Sequence, residues 1–192
     1  MWVFSSKDNI TLSILLKPQN LENISNISLV AGASVYNTLK EYVNCSIKWP
    51  NDILIKDKKI CGILLESISS SRIDALVIGI GLNVNQVEFD EEIKNKATSL
   101  KKELNMDFNK DEIIKKFINN FDYLYNDFIN RGKIDLEIVR INFYLRNKKA
   151  FINNEEVKII DVEEDGRLKV LKGNVVAFLN SGEVSLEKIY NN

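Results

Sequence analysis

Lys48-Trp49-Pro50-Asn51-Asp52-Ile53-Leu54-Ile55-Lys56-Asp57-Lys58-Lys59-Ile60-Cys61-Gly62-Ile63-Leu64-Leu65-Glu66 places two apolar runs on either side of a polar segment. It reads as a hairpin, with strands over 52–56 and 60–68 joined by the turn-like residues 56–59. Pro50 interrupts a shorter strand pattern over 46–49 and biases the residue before it to an extended backbone. Such a break aims Asn51 and Asp52 away from a regular ladder. Lys59 opens the following strand opposite the break if the turn is tight, and Lys48, Asn51 and Lys59 then surround one small cavity. Spacing alone leaves the plain alternative open. A lysine beside a turn is most often a solvated charge, and Pro-Asn-Asp is most often only a turn.

Working outward, residues 75–82 form an apolar run that reads as a strand buried on both faces. Gly79 and Gly81 alternate within it. Glycine weakens a strand interior, so a pair of them signals that something approaches the backbone closely. No third glycine opens a helix after them, and a dinucleotide fingerprint is therefore rejected. A flat ligand lying on a strand stripped of side chains fits better. Asn83 to Gln86 leaves the strand as a polar loop. Toward the N-terminus, residues 10–16 read as a strand ended by Pro18. Residues 21–43 then follow three-and-four apolar spacing, an amphipathic helix whose small residues 31–34 permit close approach to a sheet. Toward the C-terminus, Asp111 begins a helix carrying Ile113, Phe117, Phe121, Leu124 and Phe128 on one side, stopped by Arg131-Gly132. A second helix is expected over 136–145. Beyond Lys148, short strand-like runs at 156–160, 167–171, 175–179 and 184–186 alternate with turn residues. The reading is an α+β body over 1–146, a mixed sheet flanked by helices, with a small C-terminal β-barrel over 147–192.

Composition narrows the chemistry. The 192 residues, 45% hydrophobic and 28% charged, suit one domain or a domain with a small appendage. Twenty-six Lys and Arg against 27 Asp and Glu leave a net charge of −1, so no general basic field for nucleic acid or membrane exists. From 148 to 192, seven basic residues face eight acids, which argues against a nucleic-acid-binding barrel. Histidine is absent. Ser-His-Asp and Cys-His nucleophiles and His-containing metal sites are thereby excluded, and chemistry must rest on lysine, carboxylates, amides and backbone. Cys45 and Cys61 show no Cys-x-x-Cys spacing and read as buried thiols of a cytoplasmic protein. No run approaches the ~20 apolar residues of a membrane span, and no signal peptide opens the chain.

In order and spacing, Lys48-Trp49-Pro50-Asn51-Asp52, then Lys59-x-x-Gly62-Ile63-Leu64-x-Glu66, then Ile78-Gly79-x-Gly81-x-Asn83 resemble the signature of biotin–protein ligases, also called biotin–[acetyl-CoA-carboxylase] ligases. Trp2-x-x-Ser5 with Leu12-Ser13 is similar to that family's tryptophan and first core strand, and residues 182–186 to the end of its C-terminal barrel. The resemblance implies a class II synthetase-like core. It also implies ATP-dependent activation of biotin to biotinyl-5′-AMP with Mg²⁺, then transfer to a lysine of the biotin carboxyl carrier protein of acetyl-CoA carboxylase or another biotin enzyme. By the same resemblance, Lys59 is the catalytic residue and contacts the biotin carboxylate and the adenylate phosphate. Gly62, Gly79 and Gly81 line biotin. Lys48 and Asn51 bind the nucleotide phosphates and their metal, Asn83 sits beside the adenine, and Trp2 packs over it. Glu66 is read as structural. A homodimer paired through the sheet is compatible with the family.

Nothing in the sequence matches the family's glycine- and arginine-rich loop or the upstream Ser/Thr-Asn and Gln elements that hold the ureido ring. The chain therefore reads as an N-terminally truncated ligase with much weakened activity, and a remnant that binds without turnover is the second reading. No helix-turn-helix is present, so DNA binding is not implied. Lipoate–protein ligases share the expected core, but these motifs give no reason to prefer them.

Overall fold

In chain order the body comprises β1 (Ile10–Leu16), α1 (Asn26–Leu39), β2 (Ser46–Lys48), β3 (Asp52–Ile55), β4 (Lys58–Ser69), β5 (Ile73–Leu82), α2 (Leu100–Leu104), α3 (Lys110–Arg131) and α4 (Glu137–Ile141). The structure is a computed structural model and describes residues 7–17, 23–69, 73–152, 154–181 and 187–190. The five strands form one sheet in the order β1-β5-β4-β3-β2. Every ladder in it is antiparallel, which corrects the expected mixed sheet. The reason is local: β2, β3, β4 and β5 follow one another through short connections, and such connections can join only antiparallel neighbours. Among the described residues, parallel pairing is confined to two isolated bridges, Ile47 to Phe143 and Lys59 to Ala97.

One face of this sheet is the core. Ile10, Ile63, Leu76, Ile78, Ile80 and Leu82 are buried there, and α1 packs against them. Eleven of the 14 residues of α1 are buried because α3 covers its outer side. Its buried Ser34 and Thr38 hydroxyls are satisfied within the helix, Ser34 donating to the Val30 carbonyl and Thr38 to that of Ser34. The expected helix over 21–43 is thus shorter than its apolar pattern, with residues 21 and 22 outside the described residues. α3 matches its amphipathic reading: Ile113, Phe117, Phe121 and Phe128 face inward, Asn109 caps the N-terminus, and Gly132 at φ +68° ends it. The expected helix over 136–145 extends only to Ile141. Phe143 instead bridges to the outer edge of β2. α2, capped by the Ser99 hydroxyl, was not anticipated.

The C-terminal strands β6 (Lys149–Ile152), β7 (Glu155–Val162), β8 (Leu168–Lys172), β9 (Val175–Leu179) and β10 (Glu187–Tyr190) make a second antiparallel sheet, ordered β10-β6-β7-β8-β9. It is not closed into a barrel. β9 and β10 are its two edges, and Val175, Val176 and Phe178 of β9 stay exposed rather than folding inward. Its buried residues Ala150, Val157, Ile159, Val162, Leu168 and Val170 join the core of the body, so the sheet has no need to curl on itself to bury them. The strand expected over 184–186, and the whole 182–186 resemblance, lie outside the described residues. Among the described residues, no helix is long and apolar enough to cross a membrane.

Candidate active site

The other face of the main sheet carries the candidate residues. Lys48 pairs with Asp52, Asp52 with Gly62, Gly62 with Gly81, and Gly81 with Thr11. Directly opposed residues in antiparallel strands share a face, so this register is one continuous row across all five strands. Gly79 lies two residues along the same face, between Leu64 and Ser13. A Cβ built on Gly79 would meet only Leu64, at 3.7 and 3.8 Å, an ordinary contact. The protein does not itself require glycine there; the glycine leaves the backbone bare toward the open face. The strand read as buried on both sides has no exposed residue over 75–82, with apolar side chains on one face and Gly79 and Gly81 on the other.

Lys59 reaches this row through an irregularity. By simple alternation it would share the core face with buried Cys61 and Ile63. The ladder between β3 and β4 shifts between Ile53 and Leu54, however, so that Ile53 opposes Cys61 while Leu54 opposes Lys59. The extra residue, Ile60, forms a bulge and turns Lys59 to the face of Asp52. Its Nζ lies 2.5 Å from Asp52 Oδ1, with the two side chains 39% and 19% exposed. The contact is one of charge, not an aligned hydrogen bond, because Asp52 Oδ1 is buried without a hydrogen-bond partner. The backbone of Lys59 is held by the 96–98 segment, its N–H donating to the Lys96 carbonyl and its carbonyl accepting from Thr98 N–H.

Asn51 sits in the turn between β2 and β3, after a cis Trp49–Pro50 peptide bond. Its carbonyl accepts from Ile63 N–H at 2.9 Å, and its Nδ2 donates to the Ile63 carbonyl at 2.7 Å. These two bonds fix the amide plane. Lys48 opposes Asp52 in the strand register, Asn51 adjoins it in the turn, and Lys59 reaches the Asp52 carboxylate. Asp52, the partner of Lys59, was not among the expected site residues. Asn83 continues the Gly79, Gly81 face and donates from Nδ2 to the Thr98 carbonyl at 3.0 Å, so one segment braces both Lys59 and Asn83. Thr98 and Ser99 are buried, and the Thr98 hydroxyl donates to Glu103. That bond holds the Glu103 carboxyl below its ordinary value, with the Lys56 ammonium assisting and burial opposing. The only sequence signal for this segment was a serine able to cap α2. Trp2 lies outside the described residues.

Two further residues border the row beyond β2. The Ile47 carbonyl accepts from Tyr144 N–H, the Tyr144 hydroxyl donates to Asp57 at 2.7 Å, and Lys148 Nζ sits 3.3 Å from the Tyr144 ring centroid. Burial lowers the Lys148 pKa, with the charge of nearby Lys48 adding to the effect and Asp57 opposing it. Burial, followed by the Asp57 bond, pushes Tyr144 up to about 12.

The arrangement sets the paired Lys59 ammonium on the same sheet face as Gly62, Gly79 and Gly81. It suits an anionic group joined to an apolar body. Among the described residues there is no group of three His, Cys, Asp or Glu able to cage a metal ion. The Asp52 carboxylate, already paired with Lys59, and the Asn51 amide place oxygen atoms beside the lysines. That set fits a hard cation such as Mg²⁺ that keeps water and enters with a polyphosphate, not one held by protein alone.

Comparison with known proteins points the same way. The model for the biotin/lipoate A/B protein ligase family matches residues 1–83. The bifunctional ligase/repressor BirA of Bacillus subtilis is 27% identical over 197 residues, covering 97% of this chain and 61% of BirA. The chain thus spans about three-fifths of the length of that curated relative. The apo biotin protein ligase of Aquifex aeolicus superposes with a TM-score of 0.81 at 30% identity, over 94% of this chain and 83% of that one. The same Aquifex ligase in complex with biotin and ATP gives 0.80 at 30% identity, over 94% and 79%.

Proposed function

The chain belongs to the biotin protein ligase family, and from that premise we propose that it activates biotin with ATP and transfers it to a carrier protein. One observation carries the proposal: a bulge turns Lys59 out of the core face to stand against Asp52, at the end of a row that continues into Gly62 and Gly81. In this reading the apolar body of biotin lies over Gly62, Gly79 and Gly81, with its carboxylate toward Lys59. A carboxylate oxygen attacks the α-phosphorus of ATP, the bond from that phosphorus to the bridging oxygen breaks, and pyrophosphate leaves. Bringing two anions together is the main barrier, and cations placed beforehand at the developing charge lower it. Lys59 serves the carboxylate and α-phosphate, while Lys48 and Asn51 serve the phosphates. Lys48 and Asn51 would also hold the nucleotide's Mg²⁺, which would supply further neutralisation of phosphate charge. Asn83 and Trp2 are proposed for the adenine.

In the second half-reaction the amine of a carrier lysine attacks the acyl carbon of biotinyl-5′-AMP. An amide forms, AMP leaves, and the amine gives up a proton. The carrier proposed is the biotin carboxyl carrier protein of acetyl-CoA carboxylase or of another biotin enzyme. Residues 1–146 act as the catalytic part and 147–192 as the C-terminal part, in a cytoplasmic protein. The deciding experiment is biotin-dependent exchange of labelled pyrophosphate into ATP by the purified chain, which needs no carrier. Exchange above a biotin-free control is expected; none from a folded sample overturns the assignment of activity to this chain.

A further inference from the structure

The turn that carries Lys48 and Asn51 is short of support from its own sheet. β2 has three residues and pairs only with β3 on its inner side. Its other side is occupied by residues from far along the chain. The Ile47 N–H donates to the Asn142 carbonyl at 2.8 Å, and the Ile47 carbonyl accepts from Tyr144 N–H at 2.9 Å. The Trp49 indole N–H donates to the Gly166 carbonyl at 2.9 Å, across 117 residues.

Gly166 ends the connection between β7 and β8 and sits in a tight slot. Its φ is +83°, and a Cβ there would lie 2.0 Å from Asn26 Oδ1. Asn26 is fully buried and donates from Nδ2 to the Glu164 carbonyl at 2.8 Å, while its Oδ1 has no hydrogen-bond partner. A buried amide oxygen without a bond is a cost, accepted here where the Gly166 backbone closes against the start of α1. The Ser28 hydroxyl, on the same helix, approaches the Pro50 carbonyl at 3.4 Å. The turn is therefore braced between α1 and the 163–166 connection, and Trp49, 1% exposed, is the side chain common to both.

We infer that Trp49 and Gly166 are positioning residues: the 163–166 connection of the second sheet is a strut that sets the Trp49-Pro50-Asn51 turn, and through it the residues meant for the nucleotide. The nucleotide role rests on the function proposed above; the mechanical coupling does not. Displacing the strut loosens the turn, which is read directly at the Ile63 amide because its hydrogen bond ends on Asn51. The glycines of β5 lie two strands away from the turn while Gly62 adjoins Ile63, so ATP affinity suffers more than biotin affinity. General destabilisation would not produce that split.

The test is amide hydrogen exchange at Ile63, together with separate ATP and biotin titrations, on the full chain and three variants. Gly166→Ala pushes on Asn26, and Trp49→Phe removes the N–H donor together with part of the buried ring that fills the space beside it. Gly173→Ala is the matched control: its φ is +59°, in the next hairpin of the same sheet, but nothing lies within 4 Å of the added Cβ. Loss of one buried hydrogen bond is worth about tenfold in an opening equilibrium. Gly166→Ala and Trp49→Phe are therefore expected to speed exchange at Ile63 about tenfold and weaken ATP binding about fivefold or more, with biotin binding weakened by a smaller factor. Gly173→Ala changes neither. Equal Ile63 exchange in Gly166→Ala and Gly173→Ala overturns the strut, as does unchanged exchange in Trp49→Phe should Gly166→Ala fail to fold. If the wild-type chain binds no ATP, the proposed function fails while the Ile63 comparison still decides the strut.

Discussion

Gly79→Ala is expected to stabilise the protein and weaken biotin binding at the same time. On the protein side the new methyl meets only Leu64, at 3.7 and 3.8 Å, and no positive φ is strained. Replacing a strand-interior glycine then gains about 0.5–1 kcal/mol, because the unfolded chain loses freedom it no longer has to surrender. For a chain of this size that is a rise of roughly 1–4 °C in Tm. On the ligand side the methyl enters the surface over which biotin is proposed to lie. Overfilling a packed contact costs about 1–3 kcal/mol, or about 5- to 150-fold in Kd. Gly32→Ala is the control. It faces Ile63 and Ile47 at 3.8 and 4.0 Å from inside α1, should stabilise by about 0.8–1 kcal/mol as a helix glycine, and should leave biotin affinity unchanged. Thermal melts and calorimetric biotin titration read both quantities. A Gly79→Ala protein that binds biotin within twofold of the unsubstituted chain refutes the placement of the ligand over β5. One that melts lower refutes the claim that the strand has room.

Three other outcomes follow from the same geometry. Lys59→Ala should cut biotin-dependent pyrophosphate exchange by about 10²–10³ while Tm moves by less than about 2 °C, since the lysine is more than a third exposed; undiminished exchange would remove Lys59 from the chemistry. The Glu103 carboxyl is held below its ordinary value chiefly by the Thr98 hydroxyl. Its contribution is full above the unfolded pKa and disappears as pH falls through the folded one, so Glu103→Gln should flatten the acid limb of a urea-midpoint-against-pH plot; parallel acid limbs would contradict this. Burial pushes the Cys45 thiol up to about 12 and raises Cys61 as well. At pH 8 the Cys45 thiolate fraction is about 10⁻⁴, so iodoacetamide should label the folded chain about a thousandfold more slowly than the urea-unfolded one, and rapid native labelling would contradict the raised pKa of the partly buried Cys45.

Much of the body was legible because its signals are local. The Lys56-Asp57 turn, the Gly132 stop of α3, the three-and-four spacing of α1 and the Gly79, Gly81 alternation each depend on neighbours within a few residues. The failures are equally specific. The apolar pattern around Leu136–Leu145 is helical only to Ile141, because the outer edge of β2 draws Phe143 into a bridge. The runs after Lys148 alternate like a barrel but stay an open sheet, because their apolar face is covered by the body. Whether a sheet closes depends on what else covers its inner face, and no short window contains that.

Sequence alone determined the family, the hairpin that carries the candidate lysines, and the bare glycine strand, since residue order and spacing survive whatever the chain packs against. Tertiary structure decided which face each residue occupies. Alternation by two assigns Lys59 to the core, and a single shifted rung between Ile53 and Leu54 reverses it. Asp52 became its partner only once that rung was known. The bracing of the Trp49 turn by Gly166 spans 117 residues. Such contacts are chosen by the packing free energy of the whole chain, in which one bulge or one long-range hydrogen bond outweighs a local preference worth a few tenths of a kcal/mol.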